Sequence, residues 1–219
     1  MSGPAAAQDY ENLPHGGTRV TPIDGLVTLE CMSAPPELPE LVSRAFDMSR
    51  RAGYVSFCRN ETGRLLATLA ATRTGTMAEF GTGCGVGTAW LRSGAQPHVS
   101  ILSAERDERL AEAAQEIFVD DPQVEVLAAD WSTLLHKGPY SLLFLDASSP
   151  EHASVDAVAD LVEPGGIVVL DDFTPCESWP PITGGRVDVL RETWLSDERF
   201  TAVEVMVAPD ASAVIATRR

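Results

Sequence analysis

Glycines and acidic residues in the middle of the chain are spaced as they would be in a nucleotide-binding site. In the stretch MAEFGTGCGVGTAW, residues 77–90, an apolar run leads into four glycines at alternate positions. Because glycine loses the most backbone entropy on folding, this spacing favours a turn that lets the backbone approach a ligand closely. A dinucleotide and another adenosine cofactor fit such a loop equally well, and a tight strand-to-helix turn is the structural alternative.

Carboxylates end each of five short apolar runs. The runs cover residues 77–80, 99–104, 124–128, 141–145 and 167–170, and the acidic residues are Glu79, Glu105, Asp130, Asp146 and the pair Asp171–Asp172. Because ligands of open parallel sheets bind outside the carboxyl ends of the strands, this pattern predicts one acidic rim. Glu105 also follows the glycines at about the ~20-residue spacing of a carboxylate that binds ribose hydroxyls.

The elements that must position these residues follow from hydrophobic spacing. The apolar runs alternate with helical segments at 107–118, 132–135, 151–162 and 187–194, the first of them capped by Asp107. This alternation predicts an α/β fold with a doubly wound, Rossmann-like sheet that is mostly parallel. The runs at 200–207 and 213–217 are joined too closely for a parallel crossover, which predicts a terminal antiparallel strand pair.

The chain is predicted to form one domain preceded by a tail. Residues 1–18 are rich in Ala, Gly and Pro and lack periodicity, as is typical of a flexible tail. Residues 19–219 are expected to fold as a single domain that begins with helices at about 37–72. Gly53 is expected to end the first helix, and Asn60 to cap the second.

The charge and composition of the chain limit the classes of molecule that it is expected to bind. The chain has 16 basic and 32 acidic residues, a net charge of −16, which argues against nucleic acid and against anionic membrane surfaces. Residues 1–17 lack the features of a signal peptide and no apolar run could span a bilayer, so we expect a cytoplasmic protein. Four scattered cysteines without a Cys-x-x-Cys pair predict reduced thiols used in packing.

Four motifs together resemble the class I S-adenosylmethionine-dependent methyltransferases. They are EFGTGCG at 79–85, SAERD at 103–107, LFLDA at 143–147 and GGIVVLDD at 165–172. Residues from about 60 to 219 are most similar to O-methyltransferases of the catechol/caffeoyl-CoA type, and the terminal antiparallel pair distinguishes this family from dinucleotide dehydrogenases. The resemblance implies methyl transfer from S-adenosylmethionine to a small-molecule acceptor.

The resemblance also implies roles for individual residues. The glycine turn would pack against the methionine part of the cofactor with Glu79 as its support. Glu105 would take the ribose hydroxyls, and Asp130 and Trp131 would flank the adenine. The full set implied to contact the cofactor is Glu79, Gly81, Thr82, Gly83, Gly85, Thr88, Glu105, Arg106, Asp130, Trp131 and Asp146.

A metal site is implied by the same resemblance. Asp146, Asp171 and Asp172 match three oxygen ligands that hold a divalent cation in the family, although the last is commonly Asn there. Mg²⁺ or another hard cation suits such ligands and would act as a Lewis acid on the acceptor hydroxyl. The alternative is that the acidic pair simply ends a strand.

The chain departs from the family at two positions. Ser149 stands where relatives carry a lysine that acts as general base, and Lys137, the single lysine, precedes the fourth run. Deprotonation would then depend on the metal held by Asp146, on His152, or on the acidity of the acceptor; a solvated helix residue is the alternative for His152. Gly87 stands where relatives have a hydroxyl residue, which Thr88 could supply by a one-residue shift.

The acceptor-binding region and the assembly are less constrained. The long loop at 173–185 resembles a lid, in which Trp179 could stack on a planar acceptor or merely pack, with Tyr54, Phe57 and Arg59 as a facing wall. A homodimer is compatible with the sequence. Two other functions stay open: a nicotinamide-dependent oxidoreductase, and a methyltransferase-like binding protein that has lost catalysis.

Overall fold

The computed structural model describes residues 22–23, 26–27, 37–55, 58–146 and 153–219. Two units are distinguished, residues 1–35 and residues 36–219. In the first, the short strands β1 (Pro22–Ile23) and β2 (Leu26–Val27) pair antiparallel. The tail predicted over residues 1–18 lies outside the described residues.

The second unit opens with two helices, α1 (Glu40–Ala52) and α2 (Asn60–Ala70). Gly53 ends α1 as predicted, in a left-handed conformation with φ of 68° that glycine adopts without the cost of a Cβ. The predicted cap of α2 is wrong by one residue. Arg59 occupies the N-cap position without a side-chain hydrogen bond, and Asn60 is already helical.

Alternating strands and helices make up the rest of the unit. In chain order they are β3 (Met77–Phe80), α3 (Val86–Gly94), β4 (Ile101–Glu105), α4 (Glu108–Phe118), β5 (Val124–Ala128), β6 (Tyr140–Asp146), α5 (Val155–Val158), β7 (Val162–Phe173), β8 (Ile182–Thr183), β9 (Arg186–Val187), α6 (Val189–Ser196), β10 (Phe200–Ala208) and β11 (Ala211–Arg218). Asp107 caps α4 as predicted, accepting a hydrogen bond from the amide of Arg109.

The helix expected over residues 151–162 is shorter in the structure. Among its described residues, 153–162, only Val155–Val158 is α-helical, followed by a 3₁₀ turn at Ala159–Leu161, and β7 already begins at Val162. The start of β7 is extended because Val162 pairs with Tyr140, five residues before the apolar run that marked this strand in the sequence.

Seven strands form one sheet in the order β5-β4-β3-β6-β7-β11-β10. The strands from β3 to β7 pair in parallel, whereas β11 is antiparallel to both β7 and β10. The predicted mostly parallel α/β sheet with a terminal antiparallel pair is therefore confirmed. Strand order reverses between β3 and β6, which is where such sheets bind their ligands.

Apolar side chains bury both faces of this sheet. Leu142 belongs to the cluster that includes Trp90 of α3, whereas its neighbour Leu143 belongs to the cluster that includes Trp194 of α6. Successive residues of β6 thus serve opposite cores, as the two-residue period of a strand requires. None of the helices in the described ranges is long and apolar enough to cross a membrane.

Candidate active site

The glycine loop, residues 81–87, joins β3 to α3 at the point where strand order reverses. Gly81, Gly83 and Gly85 have φ values of 96°, 51° and 85°, a region in which other residues are strained. At Gly83 a Cβ atom would also come within 2.7 Å of the ring of Tyr54. The alternating glycines are therefore required by backbone conformation and, at Gly83, by the close approach of Tyr54.

Glu79 supports this loop from below, with only 2% of its surface exposed. Its Oε2 atom accepts a hydrogen bond from the hydroxyl of Thr88, and the hydroxyl of Ser103 lies 3.4 Å from the same oxygen. Thr82 in turn shares a hydrogen bond with Ser103. A side chain at Gly87 would overlap the Glu79 carboxylate, so the glycine that replaces a hydroxyl residue makes room for it.

Glu105, at the end of β4, holds the glycine loop on the side away from Glu79. Its carboxylate accepts one hydrogen bond from the amide of Gly83 at 2.9 Å and another from the amide of Asp107 at 2.8 Å. Both carboxylate oxygens are thus held by backbone at the tip of β4, in the position predicted for the ribose-binding acid. The neighbouring Arg106 is exposed.

Asp130 and Trp131 lie farther along the same edge, after β5. The carboxylate of Asp130 accepts a hydrogen bond from the amide of Ser132 and caps a 3₁₀ turn at Trp131–Leu134. The Trp131 ring packs on Phe80 with ring centroids 5.3 Å apart. Both residues are half-buried, and these two contacts fix their positions next to Glu105 along the edge of the sheet.

The carboxyl end of β7 is irregular where its acidic pair occurs. Leu170 pairs with Val214 and Phe173 with Ser212, so two residues of β7 face one of β11 in a β-bulge. Asp171 is buried and accepts a hydrogen bond from Thr62 at 3.0 Å, whereas Asp172 is exposed with φ of 67°. A left-handed aspartate is strained, and such strain is common at functional sites.

One pocket connects the glycine loop to this bulge. Its lining includes Gly81, Thr82, Gly83, Cys84 and Gly87 of the loop, Glu79 and Phe144 of the strands, Asp171 and Asp172 of β7, and Tyr54 and Cys58 before α2. Two carboxylates from β7 therefore face the same space as the backbone of the loop. Burial raises the pKa of the Cys84 thiol, which is consistent with its predicted packing role.

The donor chemistry of the acidic pair fits a hard divalent cation. The backbone of Asp146 at the end of β6 pairs with that of Asp171, but the side chain of Asp146 lies outside the described atoms. Among the side chains that are described, no group of three His, Cys, Asp or Glu residues is placed to hold a metal. The predicted metal set therefore stays a prediction.

The β7–α6 segment, residues 174–188, includes most of the loop at 173–185 that was predicted to resemble a lid. It contains the small hairpin of β8 and β9, and the side chain of Trp179 is 64% exposed. Contacts with Ser178 and with the amide of Ile182 lower the pKa of the Cys176 thiol. Arg59, which was predicted to contribute to a facing wall, pairs with Asp210 at 3.0 Å.

The base of this segment is held by a buried cation, Arg191. Its guanidinium lies 3.1 Å from Asp188 and 3.1 Å from Glu204, and 5.0 Å from the ring centroid of Phe173. The Ser212 hydroxyl joins the network, 2.5 Å from Glu204 and 3.3 Å from the carbonyl oxygen of Phe173. These contacts tie α6, β10 and β11 to the end of β7.

Several residues singled out in the sequence cannot be placed. Phe57, Ser149 and His152 lie outside the described residues. Lys137 precedes β6, at the amino edge of the sheet, and its Nζ is 3.5 Å from Glu125. Cys58, Cys84 and Cys176 are free thiols, whereas Cys31, the fourth cysteine predicted to be reduced, lies outside the described residues.

Sequence reasoning missed Thr62, Ser103 and Phe144. Thr62 stands four residues before Leu66, and both are buried on the same face of α2. A hydroxyl on an apolar helix face was therefore the available signal. Ser103, a polar residue in the buried strand β4, carried a similar signal.

Comparison with known proteins agrees with this geometry. Residues 78–173 match a family model described as a methyltransferase domain. No curated protein is detectably similar to the chain.

Solved structures share the fold at low identity. The O-methyltransferase TomG of Streptomyces achromogenes, in complex with S-adenosylmethionine, is 21% identical with a TM-score of 0.67, covering 84% of this chain and 92% of TomG. An O-methyltransferase of Bacillus cereus in complex with S-adenosylhomocysteine is 17% identical with a TM-score of 0.67, covering 84% and 93%. An S-adenosylmethionine-dependent O-methyltransferase of Thermotoga maritima is 17% identical with a TM-score of 0.63, covering 82% and 71%.

The matched residues 78–173 contain the glycine loop, Glu105 and the acidic end of β7. The antiparallel strands β10 and β11 complete the sheet expected of the resemblance. Residues 78–173 thus match a methyltransferase domain, and the chain shares the fold of the S-adenosylmethionine-dependent O-methyltransferases named above.

Proposed function

We propose that the protein is an O-methyltransferase that methylates a hydroxyl group of a small molecule. The observation that carries the proposal is a pocket lined by both the glycine loop and the Asp171–Asp172 bulge. A donor lying on the loop would meet an acceptor held at the end of β7 in that space. The O-methyltransferase names of the solved structures above support transfer to oxygen.

The donor side is assigned to residues on β3, β4 and β5. S-adenosylmethionine supplies a methyl group on a positively charged sulfur, and transfer by in-line displacement depends mainly on positioning. Glu105 binds the ribose hydroxyls, and Asp130, Trp131 and Arg106 surround the adenine. The amides of the loop hold the methionine part, while Thr82 and Thr88 fix the loop through Ser103 and Glu79.

The acceptor side is assigned to the ends of β6 and β7. Asp146, Asp171 and Asp172 are the proposed ligands of Mg²⁺, which would lower the pKa of an acceptor hydroxyl bound beside it. Since Ser149 replaces the lysine of relatives, His152 is the proposed proton acceptor for hydroxyls that the metal does not ionise. The net charge of −16 supports a cytoplasmic enzyme without a nucleic-acid or membrane partner, and a homodimer is the proposed assembly.

Calorimetric titration with S-adenosylhomocysteine tests the donor assignment. The purified protein should bind it and should not bind NADH, which would serve an oxidoreductase. Failure to bind S-adenosylhomocysteine would overturn the proposed function.

A methylation assay over phenols and catechols tests the acceptor assignment. Product should form with Mg²⁺, disappear in EDTA, and be absent from Asp171→Ala. Full activity in EDTA would contradict the metal role. Binding of S-adenosylhomocysteine without methylation of any acceptor would favour a binding protein that has lost catalysis.

A further inference from the structure

A hydrogen bond between distant parts of the chain holds the buried aspartate of the bulge. Thr62, in the first turn of α2, donates its hydroxyl hydrogen to Oδ1 of Asp171 at 3.0 Å, across 109 residues of sequence. Thr62 has no exposed surface and Asp171 has 5%. We propose that Thr62 is a positioning residue that orients the Asp171 carboxylate for a divalent cation, an inference that rests on the proposed function.

The position of Thr62 is fixed by its neighbour Gly63. A Cβ atom at Gly63 would overlap the indole ring of Trp90 on α3, so α2 and α3 approach at this point as closely as a glycine allows. A second close approach occurs at the other end, where a Cβ at Gly94 would overlap the carbonyl of Ala67. Two such contacts prevent α2 from sliding, and the Thr62 hydroxyl is therefore held at a set point above the sheet.

Asp171 lies where β7 keeps its pairing with β6, through Asp146, but loses regular pairing with β11. The bulge at Asp171 and Asp172 interrupts the regular pairing of β7 with β11, and Asp172 has a left-handed backbone. Side-chain directions at a bulge are not set by the strand alternation. The hydroxyl of Thr62, on a helix held by close packing, is one constraint on the direction of the Asp171 carboxylate.

The chemistry of the hydrogen bond suits this role. An ionised carboxylate only accepts hydrogen bonds, and one bond to Oδ1 does not exhaust its acceptor sites. Metal ligands that are carboxylates are commonly oriented by such partners, and loss of the partner typically weakens metal binding about 10- to 100-fold. A residue that merely stabilised α2 would affect folding without changing metal affinity in this way.

The test measures Mn²⁺ affinity of the full chain by calorimetry, with the metal alone as probe. Thr62→Val should weaken Mn²⁺ binding about 10- to 100-fold, whereas Thr62→Ser, which keeps the hydroxyl, should restore it to within about threefold. Thr68→Val is the matched control, because the exposed Thr68 hydroxyl on the same helix binds only the carbonyl of Arg64. Affinity for S-adenosylhomocysteine should stay within about threefold in every variant.

Equal Mn²⁺ affinity in Thr62→Val and the wild type would overturn the inference. If Thr62→Val does not fold, Thr62→Ala removes the hydroxyl without placing a methyl group beside the carboxylate. Equal Mn²⁺ affinity in Thr62→Ala and the wild type would then overturn the inference. Wild-type protein that binds S-adenosylhomocysteine but no Mn²⁺ would overturn both this inference and the proposed metal, and leave the methyl donor standing. Mn²⁺ binding that depends on the Thr62 hydroxyl, in a protein that binds no S-adenosylhomocysteine, would support the inference and overturn the proposed function.

Discussion

The glycine loop is enclosed by protein, whereas the β7–α6 segment that continues the same pocket edge is largely exposed. In the loop, Thr82, Cys84 and Val86 have 4% or less of their surface exposed, and Glu79 beneath them has 2%. In the segment, Trp179 and Ile182 are 64% and 48% exposed. A common donor requires one fixed backbone geometry, while an acceptor wall tolerates variation. The contrast predicts that mutations on the two sides separate donor binding from acceptor binding.

The largest effect is expected at the base of the segment. Arg191→Met should reduce the free energy of unfolding by about 3 kcal/mol, because it leaves Glu204 and Asp188 without their buried partner. Urea denaturation measures the loss. Arg199→Met, which removes exposed ion pairs to Asp156 and Asp197, should cost far less.

Arg191→Met also tests whether the two sides are separable. Folded Arg191→Met should bind S-adenosylhomocysteine with an affinity within about threefold of wild type. A tenfold change in affinity would correspond to a change of about 1.4 kcal/mol in the free energy of binding. Donor binding that falls in parallel with stability would show that the two sides are one unit.

Two glycines offer a matched comparison of the sides. Gly83 and Gly184 both have positive φ, 51° and 59°, but only a Cβ at Gly83 would meet another residue, Tyr54. Alanine should strain either backbone by about 1–2 kcal/mol. Gly83→Ala should in addition weaken S-adenosylhomocysteine binding at least tenfold, whereas Gly184→Ala should leave it within about twofold. Calorimetry measures both affinities for S-adenosylhomocysteine. Equal affinities in the two variants would contradict the predicted difference between the two sides of the pocket.

The reactivity of two thiols tests the same difference between the buried glycine loop and the exposed segment. The lowered pKa of Cys176 increases its thiolate fraction near neutral pH, while burial raises the pKa of Cys84 and keeps it protonated. Iodoacetamide at pH 7.5 should therefore alkylate Cys176 at least about ten times faster than Cys84. Peptide mapping over time gives both rates, and faster labelling of Cys84 would mean that the loop opens in solution.

The smallest effect on stability is expected at Trp179. Because its side chain is mostly exposed, Trp179→Ala should change the free energy of unfolding by less than about 0.5 kcal/mol. If the ring stacks on the acceptor, KM for the acceptor should rise about five- to tenfold while affinity for S-adenosylhomocysteine is unchanged. An unchanged KM would assign the ring no part in acceptor binding.

The positions of the glycine loop and of Glu105 could be predicted from sequence because their signals are local. Strand β3, the glycines after it and Glu105 lie within 30 residues, and each is fixed by backbone geometry. The mostly parallel sheet with its terminal antiparallel pair also followed, since strand–helix alternation and the short link before β11 leave few topologies. Thr62 could not be paired with Asp171, because their contact depends on how α2 packs on α3.

Other predictions failed or went untested for physical reasons. The helix at 151–162 was overestimated, since helical spacing continued through a 3₁₀ turn into Val162, which pairs with Tyr140 in the sheet. Gly87 was noted as a departure from relatives, but the space that Glu79 requires beside it could not be seen in the sequence. Asp146 and His152 keep their predicted roles as proposals.

The buried contacts among Arg191, Glu204, Ser212 and Phe173 have a consequence for how the range of substrates could evolve. Residues 177–184 project from an anchored stem, so replacements at their exposed tips can be sampled with little thermodynamic penalty. Selection for a new acceptor would then act on this short stretch while the methyl-donor pocket stays intact. The same stretch is the natural place to randomise in a laboratory search for altered specificity.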